Sequence, residues 1–361
     1  MNKKRIACIV GARPNFMKIA PLLAEMSRRP GLEGVLIHTE QHSSPEMSDT
    51  FFEELGSPRP TVLLGVSGGS SNEQTAKTML ALEPVFRGRR PDLVLVVGDV
   101  NATVASAMVA AKEGIRIAHV EAGLRSFDRA MPEEINRVVT DSLSDFLFTT
   151  EPSGRENLLR EGVAPERIFF CGNVMIDTLL KFREKAARSN VLERLGVRAK
   201  NYITATLHRP SNVDSPARLR ELIEMFDDLS ARMPVVFPIH PRTRQQMKRS
   251  GLAPKKLVMT TPLGYLDFLK LMSESRVVIT DSGGIQEETT ILNVPCLTVR
   301  ENTERPVTIT GGTNRLVGVR AEAVRQAAEE ALAAPYPAPR SPELWDGKAA
   351  ARVVDVLERV V

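Results

Sequence analysis

Short runs of aliphatic and β-branched residues alternate along this chain with longer stretches whose apolar positions recur every three or four residues. RIACIV (5–10) precedes a stretch with Phe16, Ile19, Leu23 and Met26 on one helical face, GVLIH (34–38) precedes PEMSDTFFEEL (45–55), and LVLVV (93–97) precedes NATVASAMVAAKEG (101–114). IRIAHV (115–120), DFLFTT (145–150) and RIFFC (167–171) continue the series. A short β-branched run followed by a helical period is the signature of a βαβ unit, and LVLVV, apolar on both faces, predicts a parallel strand covered by helices on each side. The first half is therefore expected to be a doubly wound parallel sheet.

The pattern restarts after CGNVMIDTLLKFREKA (171–186), with YITATL (202–207), VVFPIH (235–240), KLVMTT (256–261), RVVITD (276–281) and PCLTVR (295–300) separated by helical stretches. At 361 residues the chain is also too long for one ordinary core. We expect an N-terminal domain over 1–173, carrying acidic groups, and a second α/β domain over 174–342. A Pro-rich connector, PYPAPRSP (335–342), then leads to a terminal helix over 343–361 whose Val353, Val356, Leu357 and Val360 share one face and should return to the N-terminal domain. Ligands of doubly wound sheets bind beyond the carboxyl ends of the strands, so the expected site is the cleft between the two domains.

Composition narrows the class. Apolar residues make up 42% and charged residues 25%, as in an ordinary globular protein, and no window reaches the ~20 apolar residues of a membrane span. The start MNKKRIACIV lacks a signal-peptide cleavage pattern, so a cytoplasmic protein is expected. Cys8, Cys171 and Cys296 are odd in number, far apart and embedded in apolar runs, which reads as reduced core thiols. The net charge of +4 favours an anionic ligand, while 5% aromatics and no long basic run argue against nucleic acid. No His, Asp or Glu spacing builds a metal ligand set, and no cofactor is expected.

Chemistry-bearing residues gather at strand ends. VGARPNFMK follows the first strand and brings Arg13 and Lys18 to a helix start, where a phosphate would suit; it is not a dinucleotide fingerprint. VVGDVNAT places Asp99 at a helix N-terminus, HVEAG places Glu121 at a strand tip, and MPEEINR sets Glu133 and Glu134 in the first turn of a helix. Capping explains the last two but not an acid that follows a buried strand. TLHRPSN carries His208 and Arg209 at a strand end, and PIHPRTR gives His240, which reads as structural or peripheral. In ITDSGGIQEE a strand ends in Asp281 and a helix opens on Ser282, Gly283 and Gly284, a pyrophosphate cradle with Glu288 about one turn in, where it could reach ribose hydroxyls. ENTERP supplies Arg305, and PLGYLDF puts Phe268 where a base could lie.

GARP with Lys18, EQH (40–42), GDVNAT, HVEAGLRSFD, MPEEINR, LHR (207–209), GYLDF, DSGGIQEE and TERP, in that order over almost the whole chain, resemble the non-hydrolysing UDP-N-acetylglucosamine 2-epimerases. The resemblance implies an α/β, glycosyltransferase-B-like architecture: two Rossmann-like doubly wound parallel-sheet domains with UDP bound by the second. It implies an isomerase, usually a homodimer, that inverts carbon 2 of a UDP-2-acetamido sugar by anti elimination of UDP and syn re-addition, in cell-surface polysaccharide precursor synthesis. It further implies that Asp99, Glu121 and Glu133 are acid/base carboxylates and that His208 assists the leaving phosphate. Arg13, Lys18, His42, Arg137, Arg209, Phe268, Ser282, Gly283, Gly284, Glu288 and Arg305 would contact UDP or substrate.

Two stretches depart from the family pattern. Gly11-Ala12-Arg13-Pro14-Asn15 stands where Gly-Thr-Arg-Pro-Glu is common, and His208-Arg209-Pro210-Ser211-Asn212 where His-Arg-Arg-Glu-Asn is common. The segment between Gly123 and Pro132 is shorter than in relatives activated by a second UDP-sugar, which speaks against such activation and widens the candidate substrates to UDP-2,3-diacetamido-uronates and UDP-linked 6-deoxy-2-acetamido sugars. The rival readings are a hydrolysing 2-epimerase that releases ManNAc and UDP, a glycosyltransferase of the same fold, and a non-catalytic nucleotide-sugar binding protein. The last leaves Glu121, Glu133 and His208 without a task.

Overall fold

A computed structural model describes residues 3–40, 56 and 58–361, the side chain of Arg13 excepted. The expected helix PEMSDTFFEEL and His42 lie outside the described residues. The first sheet contains β1 (Lys4–Val10), β2 (Leu32–His38), β3 (Val62–Leu63), β4 (Leu93–Val97), β5 (Arg116–Val120), β6 (Phe146–Thr149) and β7 (Ile168–Phe170). They lie in the order β3-β2-β1-β4-β5-β6-β7, and every pairing is parallel. All five residues of β4 are buried, as its two-faced apolar run requires, and each such Val or Leu contributes roughly 1.5–3 kcal/mol.

A second, separate sheet holds β8 (Ile203–Thr206), β9 (Val235–Pro238), β10 (Val258–Thr260), β11 (Val277–Thr280), β12 (Cys296–Thr298) and β13 (Asn314–Leu316). Its order is β10-β9-β8-β11-β12-β13, again parallel throughout. One of its faces packs Leu219, Leu222, Ile223 and Phe226 of the helix Pro216–Leu229 onto Ile203, Phe237 and Ile279.

The chain parts into two compact units, 1–181 together with 343–361, and 182–342. The border lies inside the helix Val174–Ala187 rather than at 173/174, because that helix starts in one unit and ends in the other. The terminal helix Ala349–Val360 packs on the helix Arg13–Met26, with Val353, Val354, Val356 and Leu357 buried. Two observations explain its seat. The Asp177 carboxylate accepts hydrogen bonds from the Ala349 and Ala350 amides at 3.1 and 2.7 Å, satisfying a helix N-terminus, and the Trp345 indole donates to the Thr150 carbonyl at 2.9 Å. Cys8, Cys171 and Cys296 are buried and unbridged. Among the described residues no helix is long and apolar enough to cross a membrane.

In each sheet the strand order reverses once, between β1 and β4 and between β8 and β11. Crevices open at such switch points, beyond the carboxyl ends of the strands. The loops there carry Gly11–Asn15 with Gly98–Asp99 in the first unit, and His208–Arg209 with Asp281–Gly284 in the second.

Candidate functional site

In the first unit the turn after β1 is tied down by a single side chain. Asn15 Oδ1 accepts from the Gly11 and Ala12 amides at 3.2 and 3.0 Å, and its Nδ2 donates to the Val97 carbonyl at 3.0 Å, linking the ends of β1 and β4. One helical turn on, Lys18 forms an ion pair with Glu121, and both side chains are buried. Lys18, expected on phosphate, is thus engaged by a carboxylate. Glu121 has a φ of +77°, in the left-handed region that side chains avoid at a cost of about 1–3 kcal/mol. The chain is held there because the Glu121 and Ala122 amides both donate to the Phe148 carbonyl at 3.0 Å. Gly98 faces this pair: a Cβ on it would lie 2.9 Å from Lys18 Nζ and 3.4 Å from Glu121 Oε2.

Asp99 follows Gly98 and pairs with the Arg137 guanidinium, which is 2% exposed. Arg137 also binds Glu134 at 2.6 Å, so this residue, expected on the ligand, is committed to two carboxylates and holds Asp99 in place. Glu134 in turn accepts from the Ser126 amide and hydroxyl at 2.9 Å and from the Phe127 amide at 3.0 Å, which folds the segment before the helix Pro132–Leu143. Burial opposes its ionisation, but these donors and Arg137 outweigh it and hold the carboxyl below its ordinary range. Glu133, its neighbour, is half-buried in the first helical turn.

In the second unit β8 leads to His208 and β11 to Asp281. Asp281 is fully buried and accepts from the His208 amide at 3.0 Å, the Arg209 amide at 2.9 Å and Asn212 Nδ2 at 3.1 Å, with His208 Nδ1 at 2.9 Å from its other oxygen. Burial alone would raise its pKa, but the His208 charge and these hydrogen bonds prevail and bring it to about 2. An ionised Asp281 keeps the proton on His208 Nδ1, so Nε2 is the nitrogen left to take or give one.

Ser282 stands just before the helix Gly283–Leu292 without a side-chain capping bond, and the first glycine of that helix has no room for a side chain. A Cβ at Gly283 would lie 2.6 Å from an Arg305 nitrogen and 2.8 Å from Glu304 Oε1. Arg305, expected on phosphate, binds Glu287 at 2.7 Å and Glu304, while Arg300 binds Glu304 at 2.7 Å. Arg209 approaches Glu304 at 3.9 Å. Glu288 is buried and accepts from the Tyr265 hydroxyl at 3.2 Å; burial, with Glu287 adjacent, raises its carboxyl to about 8 despite that bond. Phe268, expected beside a base, is half-buried against Tyr202, Val236 and Leu271, a packing role that accounts for an aromatic there. His240 Nδ1 accepts from the Arg242 amide and caps a helix. Among the described residues no group of three or more His, Cys, Asp or Glu could hold a metal ion.

Sequence reasoning passed over Asn15, the holding roles of Arg137 and Asp281, Tyr265, and the buried Glu287 and Glu304. It also passed over His119, which pairs with Asp141 at 2.6 Å inside the first unit. A histidine in the apolar run IRIAHV is the signal that could have found it, since a buried imidazole requires partners.

Carboxylates at two adjacent strand ends, one beside a buried lysine, suit proton transfer at carbon; a Gly-opened helix flanked by guanidinium groups suits a diphosphate. Comparison with known proteins accords with this chemistry. A family model for UDP-N-acetylglucosamine 2-epimerase matches residues 24–358. The chain is 42% identical over 340 residues to the UDP-N-acetylglucosamine 2-epimerase of Methanocaldococcus jannaschii, covering 90% of this chain and 91% of that one. It is 39% identical over 332 residues to the UDP-2,3-diacetamido-2,3-dideoxy-D-glucuronate 2-epimerase of Pseudomonas aeruginosa, covering 91% and 92%. A crystal structure of the M. jannaschii UDP-GlcNAc 2-epimerase in complex with UDP-GlcNAc and UDP superposes with a TM-score of 0.91 at 40% identity, covering 98% of this chain and 99% of that one. The fold is accordingly glycosyltransferase-B-like, and the chain belongs to the UDP-N-acetylglucosamine 2-epimerase family, a family of isomerases.

Proposed function

We propose that the protein inverts carbon 2 of a UDP-2-acetamido sugar without net hydrolysis. UDP-GlcNAc and UDP-ManNAc are the first candidates, and a UDP-2,3-diacetamido-uronate the second, favoured by the P. aeruginosa relative and the short 123–132 segment. One carboxylate removes the proton from carbon 2 while the bond from carbon 1 to the diphosphate oxygen breaks. UDP and a 2-acetamidoglucal result. A proton then returns to carbon 2 on the opposite face and the diphosphate oxygen adds back to carbon 1, so atoms and charge balance over the cycle.

The proton on carbon 2 is not α to a carbonyl and is scarcely acidic. A positioned base and simultaneous neutralisation of the departing diphosphate are both needed, each acid or base supplying about 10²- to 10⁴-fold. Asp99, Glu121 and Glu133 are assigned as acid/base groups. Asp99 is held on a guanidinium and Glu121 on an ammonium, which fixes each carboxylate in place. His208 Nε2, with Nδ1 anchored on Asp281, assists the leaving phosphate. Ser282, Gly283, Gly284 and the cationic group of Arg209 and Arg305 serve the diphosphate, Glu288 the ribose, and Arg13, Lys18 and His42 complete the UDP-sugar set, while Arg137 and Phe268 act by holding Asp99 and by packing. The family resemblance supports a cytoplasmic homodimer that supplies cell-surface polysaccharide precursors.

The observation that carries this reading is the strained backbone of Glu121 at the end of β5, with its carboxylate on buried Lys18 beside the Gly98–Asp99 turn. Phosphorus NMR of the protein with each candidate UDP-sugar tests it. A second UDP-sugar signal with the diphosphate intact is expected; stoichiometric free UDP would assign hydrolysis instead.

A further inference from the structure

We propose that His119 is a positioning residue whose ring carries both protons and, with Asp141, registers the Asp99 and Glu121 strand ends against the helix Pro132–Leu143. The inference rests on the acid/base assignment of those carboxylates. His119 lies in β5 two residues before Glu121 and is 0% exposed. Its Nε2 is 2.9 Å from the Gly98 carbonyl, and because a carbonyl only accepts, Nε2 bears a proton. Its Nδ1 is 2.6 Å from Asp141 Oδ1. The other oxygen of Asp141 receives the Gly123 amide at 3.0 Å and Arg125 Nη1 at 2.7 Å. Both partners of that oxygen are donors, and the cations beside it outweigh burial and hold the carboxyl below its ordinary range, so Asp141 is ionised and Nδ1 donates to Oδ1.

The pair therefore touches each carboxylate-bearing element. The Gly98 carbonyl belongs to the turn that carries Asp99, the Gly123 amide follows Glu121 and Ala122, and Asp141 sits on the helix that opens with Glu133 and holds Asp99 through Arg137. Arg125 is balanced outward by Glu161 at 2.6 Å, so two cations and two anions compensate within the cluster. A slip of this hub moves the three acids relative to one another.

Two measurements decide it. In the full-length protein with ¹⁵N-labelled histidines, a ring with two slowly exchanging N–H protons, one with a nuclear Overhauser contact to Gly98 or Asp99, is expected at neutral pH. If every buried ring shows a single N–H proton, the proposal is overturned, whether or not any variant folds. In the His119→Gln variant kcat should fall about 10- to 100-fold, with KM and UDP affinity within twofold of the parent. A kcat within twofold of the parent overturns the positioning role, and a parent with no epimerase activity overturns the proposed function while leaving the ring signature standing.

Discussion

Replacing Asp281 with Asn removes one charge from the most heavily solicited carboxylate of the second unit, and the consequence can be worked from its contacts. Four donors from His208, Arg209 and Asn212 converge on a fully buried group. Burial pulls its pKa up and His208 with the hydrogen bonds pulls it down, to about 2 from an ordinary 3.8. At 1.36 kcal/mol per pH unit this preference for the ionised form is about 2–3 kcal/mol. Because the folded pKa is depressed, that stability is fully present above pH 3.8 and is lost as pH falls through about 2. An amide in the same place loses the charge and turns an NH₂ toward a donor, so Asp281→Asn should cost about 3 kcal/mol at pH 7, at the low end for a broken buried pair because His208 is partly exposed. With Nδ1 no longer anchored, His208 swings and kcat should drop up to about 100-fold. Urea unfolding of parent and variant at pH 7 and pH 3, with turnover by NMR, checks both. The stability gap should narrow at pH 3; an equal gap at both pH values, or a variant as stable and as active as the parent, refutes the reasoning.

Glu288, raised to about 8 by burial, is protonated at pH 7, whereas ribose hydroxyls donate best to the ionised form. UDP binding at pH 7 should therefore release protons, seen as a calorimetric heat that changes between buffers of different ionisation enthalpy in the parent but not in Glu288→Gln; a buffer-independent parent contradicts this. Gly98→Ala puts a Cβ into the left-handed region against the Lys18–Glu121 pair and should cost about 1–2 kcal/mol with a lowered Tm, which an unchanged melting curve would exclude. Glu121→Gln should keep UDP affinity within threefold and lose at least about 100-fold in turnover. Collapse of UDP binding in that variant would make Glu121 a structural residue.

Much of the fold is legible because buried parallel strands write themselves as two-faced apolar runs, as LVLVV and VVIT do. The edge strand β3 has only two residues, and β13 is broken by Asn314 and Arg315, so neither writes a comparable apolar run. At the site, strand-end position gave Asp99, Glu121 and His208 as candidates, since turn residues there have few structural tasks. Pairing is different. Arg305 and Lys18 look like phosphate ligands in sequence, yet each is engaged by buried carboxylates whose partnership depends on tertiary approach. Arg137 and Glu134 lie three residues apart on one helix, a spacing at which such pairs form, whereas His119 and Asp141, twenty-two residues apart, meet only through the tertiary fold.

The central claim is that carboxylates of the first unit move the proton on carbon 2 while UDP departs and returns. Incubation of the protein with its UDP-2-acetamido sugar in deuterated water, with carbon 2 followed by NMR, reads that step directly. Deuterium at carbon 2 of both epimers, with UDP still attached and no free sugar, is the predicted result. Epimerisation with hydrogen retained at carbon 2, or no exchange with any candidate sugar, would contradict the account.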